Sequence, residues 1–323
     1  EHLQNHWPEL IASADPELLR GLTQLADTHD LPVSIASIVD LATNERQSGE
    51  VRAEALAFLA RRGAAALGPA LEKALESSSP ALRITARQVL AQVTPDRFFS
   101  EITNMKGMNL DEKQAFYKIL GESQDTRAVA QLDRDLRDLL DSKLPTNIHL
   151  DVMEAAKKHG TLNQRIAEYE AKLPKEDLLA PYRMTLAGGN AERGKSIVNE
   201  HVSAQCLRCH NINLKTQQLG PNLNGIGTRL SQVDILESLV LPNAKIAQGF
   251  GMVSVTLKNQ ANPIAGTIQE EKEDHLVITQ ISGDSIRIDR AAVKDERPSR
   301  RCPPWRACSR YSRSVMWCPI SAR

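Results

Sequence analysis

Cys206-Leu207-Arg208-Cys209-His210 is the stretch on which the reading of this chain turns. Two thiols three positions apart lie on one helical turn, and an imidazole follows the second directly. That spacing lets both sulfurs add to the two vinyl groups of one haem while the next side chain meets its iron. The chain's own cysteine and histidine frequencies give ~0.002 chance occurrences of the pattern, so composition alone does not explain it. The same residues also suit half of a zinc site, a redox C-x-x-C pair or a disulfide across 206 and 209. A four-ligand zinc site needs a second ligand pair, and the other cysteines, Cys302, Cys308 and Cys318, all lie in the last stretch of the chain.

Ten residues after His210 comes Gly220-Pro221-Asn222-Leu223-Asn224-Gly225-Ile226-Gly227-Thr228-Arg229. This segment resembles the G-P-N-L-x-G sequence that follows the haem motif in class I cytochromes c. The resemblance implies one haem c per chain, attached at Cys206 and Cys209, with His210 as an axial iron ligand. It further implies that the Pro221 carbonyl accepts a hydrogen bond from His210 Nδ1, the kind of bond that fixes a ligating imidazole. Leu223 would pack on the haem face and Arg229 would approach a propionate.

Bulk composition sets the frame around this site. At 323 residues there is room for two or three domains. Formal net charge is zero with 25% charged residues, which gives no reason to expect a nucleic-acid partner. Aromatic residues are only 4%, while Ala and Leu are plentiful, favouring helices with small and aliphatic cores. No apolar run is long enough to span a bilayer. The chain opens on Glu1 without a charged-then-apolar leader and so reads as a fragment or processed form of a longer one.

Residues 1–186 read as successive helices. In Val51-Arg52 through Phe58-Leu59 and Leu82-Arg83 through Val89-Leu90, an aliphatic residue and an arginine are followed by Ala and then two apolar residues on one helical face, at an offset of 31 residues. Gly63 to Pro69 breaks the first helix, and Ser77-Ser78-Ser79-Pro80 caps the second. The pair resembles short bacterial HEAT-like repeats, in which stacked units share a core that none could bury alone. Further helices are expected at 9–29, 32–47, 111–121, 125–142, 147–159 and 161–173. His149 and His159 read as surface residues on polar faces, and Met105 and Met108 as fillers of core gaps.

Pro181 and Gly188-Gly189-Asn190 mark a boundary. The haem domain is then expected over 187–296, with Asn190 capping a helix from Ala191 to Glu200 and Ser231 capping another to about Val240. From Gly251 the apolar period becomes two, giving four strands within about 251–290: Val253 to Leu257, Ile264 to Ile268, His275 to Ile281 and Ser285 to Ile288. The order helix, C-x-x-C-H, G-P-N-L, capped helix, P-N-A-x-I-A-Q-G-F and strand insert resembles the haem-binding domain at the C-terminus of large secreted planctomycete and verrucomicrobial proteins. Those proteins often carry a dehydrogenase-like β-propeller and HEAT-like repeats ahead of it.

In that family a Ser-x-Met-Pro segment follows the strands and supplies the second axial ligand. Here Arg301-Cys302-Pro303-Pro304-Trp305 stands in its place. The stretch 297–323 holds seven arginines, no acidic residue and two of the three tryptophans. Read one base out of frame, codons for Cys302 to Trp305 can spell Met-Pro-Ala-Met, and codons for Ser314 to Ser321 can spell Arg-Asp-Val-Val-Ser-Tyr-Leu. Both are motifs of the family, so the aberrant basic tail reads as a frameshift near residues 294–299. Without that methionine, water, Met252, His201 or His275 is left for the open side of the iron, the two histidines otherwise reading as exposed surface.

The expected architecture is therefore mainly α: a HEAT-like α-solenoid, then a class I-like cytochrome c domain with a small antiparallel β insert. The function this implies is electron transfer in a periplasmic or otherwise exported protein, from an upstream dehydrogenase of the sugar or alcohol type, as domain or partner, to a downstream carrier. No general acid, base or nucleophile is arranged for catalysis. The alternative is a helical-repeat binding module whose haem domain is vestigial.

Overall fold

The computed structural model describes residues 6–7, 9–11, 15–101, 107–212, 220–247, 250–260, 262–280 and 282–298. It is mainly helical, with one small five-stranded antiparallel sheet. The chain divides into two units, residues 1–172 and 173–323. The division falls ahead of the Pro181 and Gly188 break, because Leu179 and Ala180 are buried and the 3-10 helix Ala180–Leu186 packs on the helix Gln232–Val240 of the second unit.

In the first unit the chain's cap residues decide where helices begin. Asp15, Ser34, Ser48, Ser79, Asn109 and Asp125 each stand just outside a helix, and each side chain accepts a backbone N–H of the first turn. The helices so started are Pro16–Thr28, Ile35–Thr43, Gly49–Arg61, Pro80–Val93, Leu110–Glu122 and Thr126–Leu140. The stretch 9–29 is not one helix: Asp15 caps the helix that starts at Pro16, its Oδ1 2.8 Å from the Leu18 nitrogen, and residues 12–14 lie outside the described residues. Leu67–Leu75 and Pro95–Glu101 are helices that the apolar pattern alone did not separate. Pro69 sits within a first turn, where its missing N–H costs no helical bond.

The two repeat helices, Gly49–Arg61 and Pro80–Val93, pack on each other. Their matching arginines do similar work. Arg52 Nε donates to the Ala42 carbonyl at 3.3 Å, and Arg83 Nη1 to the Ser77 carbonyl at 2.6 Å, each near the end of the preceding helix. Side-chain contacts also recur near the repeat spacing. Thr23 meets Glu54 and Asp96 meets Arg127, each 31 residues apart. Asp30 and Arg62, and Asp133 and Arg165, are each 32 apart, and Arg83 and Glu112 are 29 apart.

Glu112 is the most constrained of these groups. Its carboxylate is fully buried and takes Arg83 Nε and Nη2 at 2.7 and 2.9 Å and Arg87 Nη1 at 2.6 Å. It also accepts the Asn109 N–H at 3.0 Å while its own N–H donates to Asn109 Oδ1 at 2.9 Å, a reciprocal capping box. The Arg83 bonds, opposed by burial and reinforced by Arg87 and Asn109, hold its carboxyl down at about 2.

Two histidine readings change. His159 is not on a polar face; it is 8% exposed, and its Nε2 donates to the Leu120 carbonyl at 2.9 Å. It stands just before the 3-10 helix Gly160–Leu162, where the turn carries the ring inward. His149 is half-buried with Nε2 2.8 Å from the Leu144 carbonyl. Met108 is half-buried ahead of Leu110, and Met105 lies outside the described residues.

In the second unit Asn190 caps the helix Ala191–Glu200, its Oδ1 2.9 Å from the Arg193 nitrogen. The sheet is formed by β1 (Met252–Leu257), β2 (Ile264–Glu271), β3 (His275–Thr279), β4 (Ser285–Asp289) and β5 (Val293–Pro298), in the order β4-β3-β2-β1-β5. All neighbours are antiparallel. Val255, Ile264, Leu276, Ile278 and Ile288 make its buried core. β5 extends the sheet beyond the four expected strands. Its sequence, Val-Lys-Asp-Glu-Arg-Pro, lacks apolar alternation because it is an edge strand paired on one side only. Among the described residues no helix is long and apolar enough to cross a membrane.

Replacing Glu112 with Gln is expected to lower stability at neutral pH by about 2 kcal/mol, since charge-assisted hydrogen bonds to two arginines weaken. The carboxyl is depressed in the folded state, so its stabilisation is complete above the ordinary glutamate value of 4.5 and drains away as pH falls towards about 2. Urea unfolding followed by circular dichroism across that window checks this: the parent should lose stability that Glu112→Gln has already lost.

Candidate functional site

The site is built on one short turn. Cys206–Arg208 form a single 3-10 turn, entered through Gln205 in the left-handed region at φ 44°. The Cys206 carbonyl accepts the N–H of Cys209 at 3.3 Å and that of His210 at 2.9 Å. The turn thus presents two thiols and then the imidazole. Both cysteines are free thiols; Cys206 is half-buried, which raises its pKa, and Cys209 is exposed.

His210 is oriented from behind. Its Nδ1 lies 2.9 Å from the Pro221 carbonyl oxygen. A carbonyl can only accept, so Nδ1 carries the hydrogen and Nε2 is left with a lone pair. This is how a metal-bound imidazole is commonly held through its second nitrogen. Gly220 makes room for the ring. A Cβ there would stand 2.8 Å from His210 Cε1, 2.9 Å from Nδ1 and 3.0 Å from the Cys209 carbonyl. Two backbone bonds bracket the contact: Gly220 N–H to the Cys209 carbonyl at 2.7 Å, and Leu223 N–H to the Asn211 carbonyl at 2.8 Å.

Cys206, Cys209 and His210 thus share one turn, and His210 meets Pro221. Leu223 is half-buried within the loop. Arg229, at the end of the short helix Ile226–Arg229, is exposed and turns its Nη2 to the carbonyls of Asn222 at 2.7 Å and Asn224 at 3.0 Å. Gly220 was given no role of its own in the sequence; a glycine directly before the proline was the available signal. The residues 213–219 lie outside the described ones.

The histidines considered for the open side differ from each other. His201 follows the helix Ala191–Glu200, and its Nδ1 accepts the N–H groups of Ser203 at 3.3 Å and Ala204 at 3.1 Å. His275 is not surface: its side chain is 5% exposed, with Nδ1 2.8 Å from Asp274 Oδ1 and Nε2 3.5 Å from Glu270 Oε2. It starts β3 opposite Asp289, and the flanking acidic turn closes over it. Hydrogen bonding to His275 lowers the Asp274 carboxyl, and Lys272 first, then His275, lowers that of Glu270. Met252 begins β1, opposite Thr267, and is half-buried.

Apolar exposure is concentrated around this site. Of the nine exposed large apolar side chains among the described residues, Val202, Leu207, Leu230, Val233 and Ile246 fall between residues 202 and 246, with Val202 at 81% and Ile246 at 55%. Over the same region and the helix before it, Val198, Ile235 and Leu236 are the buried ones among the described residues. Seven more of the described large apolar side chains here are half-buried, among them Ile212, Leu223 and Ile226.

No family model matches this chain, and no curated protein does either. What the site can do is therefore read from its geometry. In the metal-free chain, nitrogen-15 NMR should find His210 with its proton on Nδ1. Gly220→Ala should push the ring off the Pro221 carbonyl and shift that tautomer ratio about fivefold. A parent ring protonated on Nε2 alone would contradict the geometry.

Proposed function

We propose that the chain carries one c-type haem and works as an electron-transfer module. In this reading Cys206 and Cys209 form the thioether links, and His210 offers Nε2 to the iron. Pro221 holds the ring from behind, and Leu223 and the exposed apolar side chains between 202 and 246 give the porphyrin its apolar surroundings. Bound there, the haem would supply a one-electron couple. The observation that carries the reading is the 2.9 Å approach of His210 Nδ1 to the Pro221 carbonyl, over a glycine that a Cβ would close. Zinc fits less well, since among the described residues no group of three or more His, Cys, Asp or Glu is placed to hold a metal ion. A porphyrin brings four nitrogen ligands of its own and asks for one imidazole.

In this reading residues 187–296 are a class I-like cytochrome c domain with a β insert, and the helices before them a HEAT-like solenoid. Side-chain contacts recurring 29–32 residues apart support the repeat. Such a solenoid serves as spacer or docking surface. The electron donor is an upstream dehydrogenase, as domain or partner, and the acceptor another carrier in an exported compartment. The repeats also favour the second reading, a protein-binding module with a vestigial haem domain.

Co-expression of the full chain with a cytochrome maturation system separates the two. The first reading expects a red protein whose reduced pyridine spectrum is that of a haem with two thioether bonds, and of one with a single bond in Cys206→Ala. A folded but colourless chain with both thiols open to titration would reject it and leave the binding module.

A further inference from the structure

We propose that Arg229 is the positioning residue for His210, acting through the loop that carries Pro221. Through Nη2 the guanidinium makes two contacts with alternate carbonyls of the loop, Asn222 at 2.7 Å and Asn224 at 3.0 Å. The first of these has a particular consequence. The Asn222 carbonyl and the Leu223 N–H belong to one trans peptide plane and point in opposite directions. Arg229 takes the carbonyl end, and the Asn211 carbonyl takes the N–H end at 2.8 Å. That plane is pinned at both edges, directly after Pro221 and against the residue that follows His210.

The rest of the loop gives the clamp its leverage. Asn224 N–H donates to Asn222 Oδ1 at 2.7 Å, and Gly225 turns the chain in the left-handed region at φ 63°, bringing the helix Ile226–Arg229 back towards the carbonyls it holds. Thr228 Oγ1 donates to the Gly225 carbonyl at 2.8 Å and closes that turn. The 221–222 plane adjoins the fixed one through φ and ψ of Asn222 alone, which narrows the directions open to the Pro221 carbonyl, and that carbonyl meets His210 Nδ1 at 2.9 Å. Both carbonyls are held by the one nitrogen Nη2, whose two N–H bonds are fixed in the guanidinium plane; an ammonium on a flexible stem carries the same charge without those fixed directions. Arg229 is thus assigned to the loop rather than to a propionate, and the assignment rests on the haem reading only where a loaded protein is measured.

Two variants of the full chain, Arg229→Lys and Arg229→Ala, test this by two readouts. In the metal-free protein, exchange of the His210 Nδ1 proton with water should quicken about fivefold or more in both, as the carbonyl it bonds loosens. In haem-loaded protein of equal haem content, Arg229→Lys should raise the reduction potential, because a weaker bond at Nδ1 makes the imidazole less basic and less favourable to the ferric state. Unchanged proton exchange in both variants would overturn the proposal. So would a potential that Lys preserves and only Ala alters, since charge and not grip would then be the role. A chain that takes up no haem would sink the haem reading while leaving the exchange measurement to decide the clamp.

Discussion

The Pro221 carbonyl decides which nitrogen of His210 is offered outward, and the chemistry of the second unit follows from that choice. Proline brings an acceptor and no donor to this position, with φ fixed by its ring. Gly220 supplies the space, Cys209 and Asn211 anchor the loop from the motif side, and Arg229 holds it from the other. Without the hydrogen bond, the imidazole would be free to turn and either nitrogen could carry the proton. With it, the hydrogen sits on Nδ1 and, in the neutral ring, Nε2 keeps its lone pair, next to a turn that carries two thiols.

The two units spend their side chains differently. The first is closed by aliphatic burial and by charged pairs tying one helix to the helix about thirty residues on, of which the Glu112 cluster is the most buried. Of the two matching arginines, Arg52 holds a helix-end carbonyl and Arg83 both a helix-end carbonyl and the Glu112 carboxylate. The second unit has a sheet with its own small core and, ahead of it, a segment in which five of the nine exposed large apolar side chains among the described residues fall. The porphyrin in the proposed reading would do there the work that leucines do in the helical unit.

Much of this was legible in the sequence because its signals were local. Ser79, Asn190 and Ser231 cap helices where the sequence places them, and the alternation from Val253 to Leu257 lies in a strand. The close spacing of Cys206, Cys209 and His210 reads directly as one turn, and the Pro221 contact is what the resemblance to class I cytochromes c implied. What escaped depended on partners distant in sequence. β5 is charged and reads as loop until β1 is beside it. His159 and His275 look like surface histidines until the Leu120 carbonyl and the Glu270 and Asp274 carboxylates are found around them. Arg229 looked like a cation for a ligand, and its loop carbonyls became visible only when the chain had turned at Gly225.

The account depends most directly on covalent attachment at Cys206 and Cys209, and denaturing mass spectrometry of the full chain after cytochrome maturation tests it without recourse to spectra. The expected result is a chain heavier by one haem, with the added mass retained through acid and organic extraction and located on the peptide containing Cys206 to His210. A chain of unmodified mass, or one that releases its haem on extraction, would contradict it.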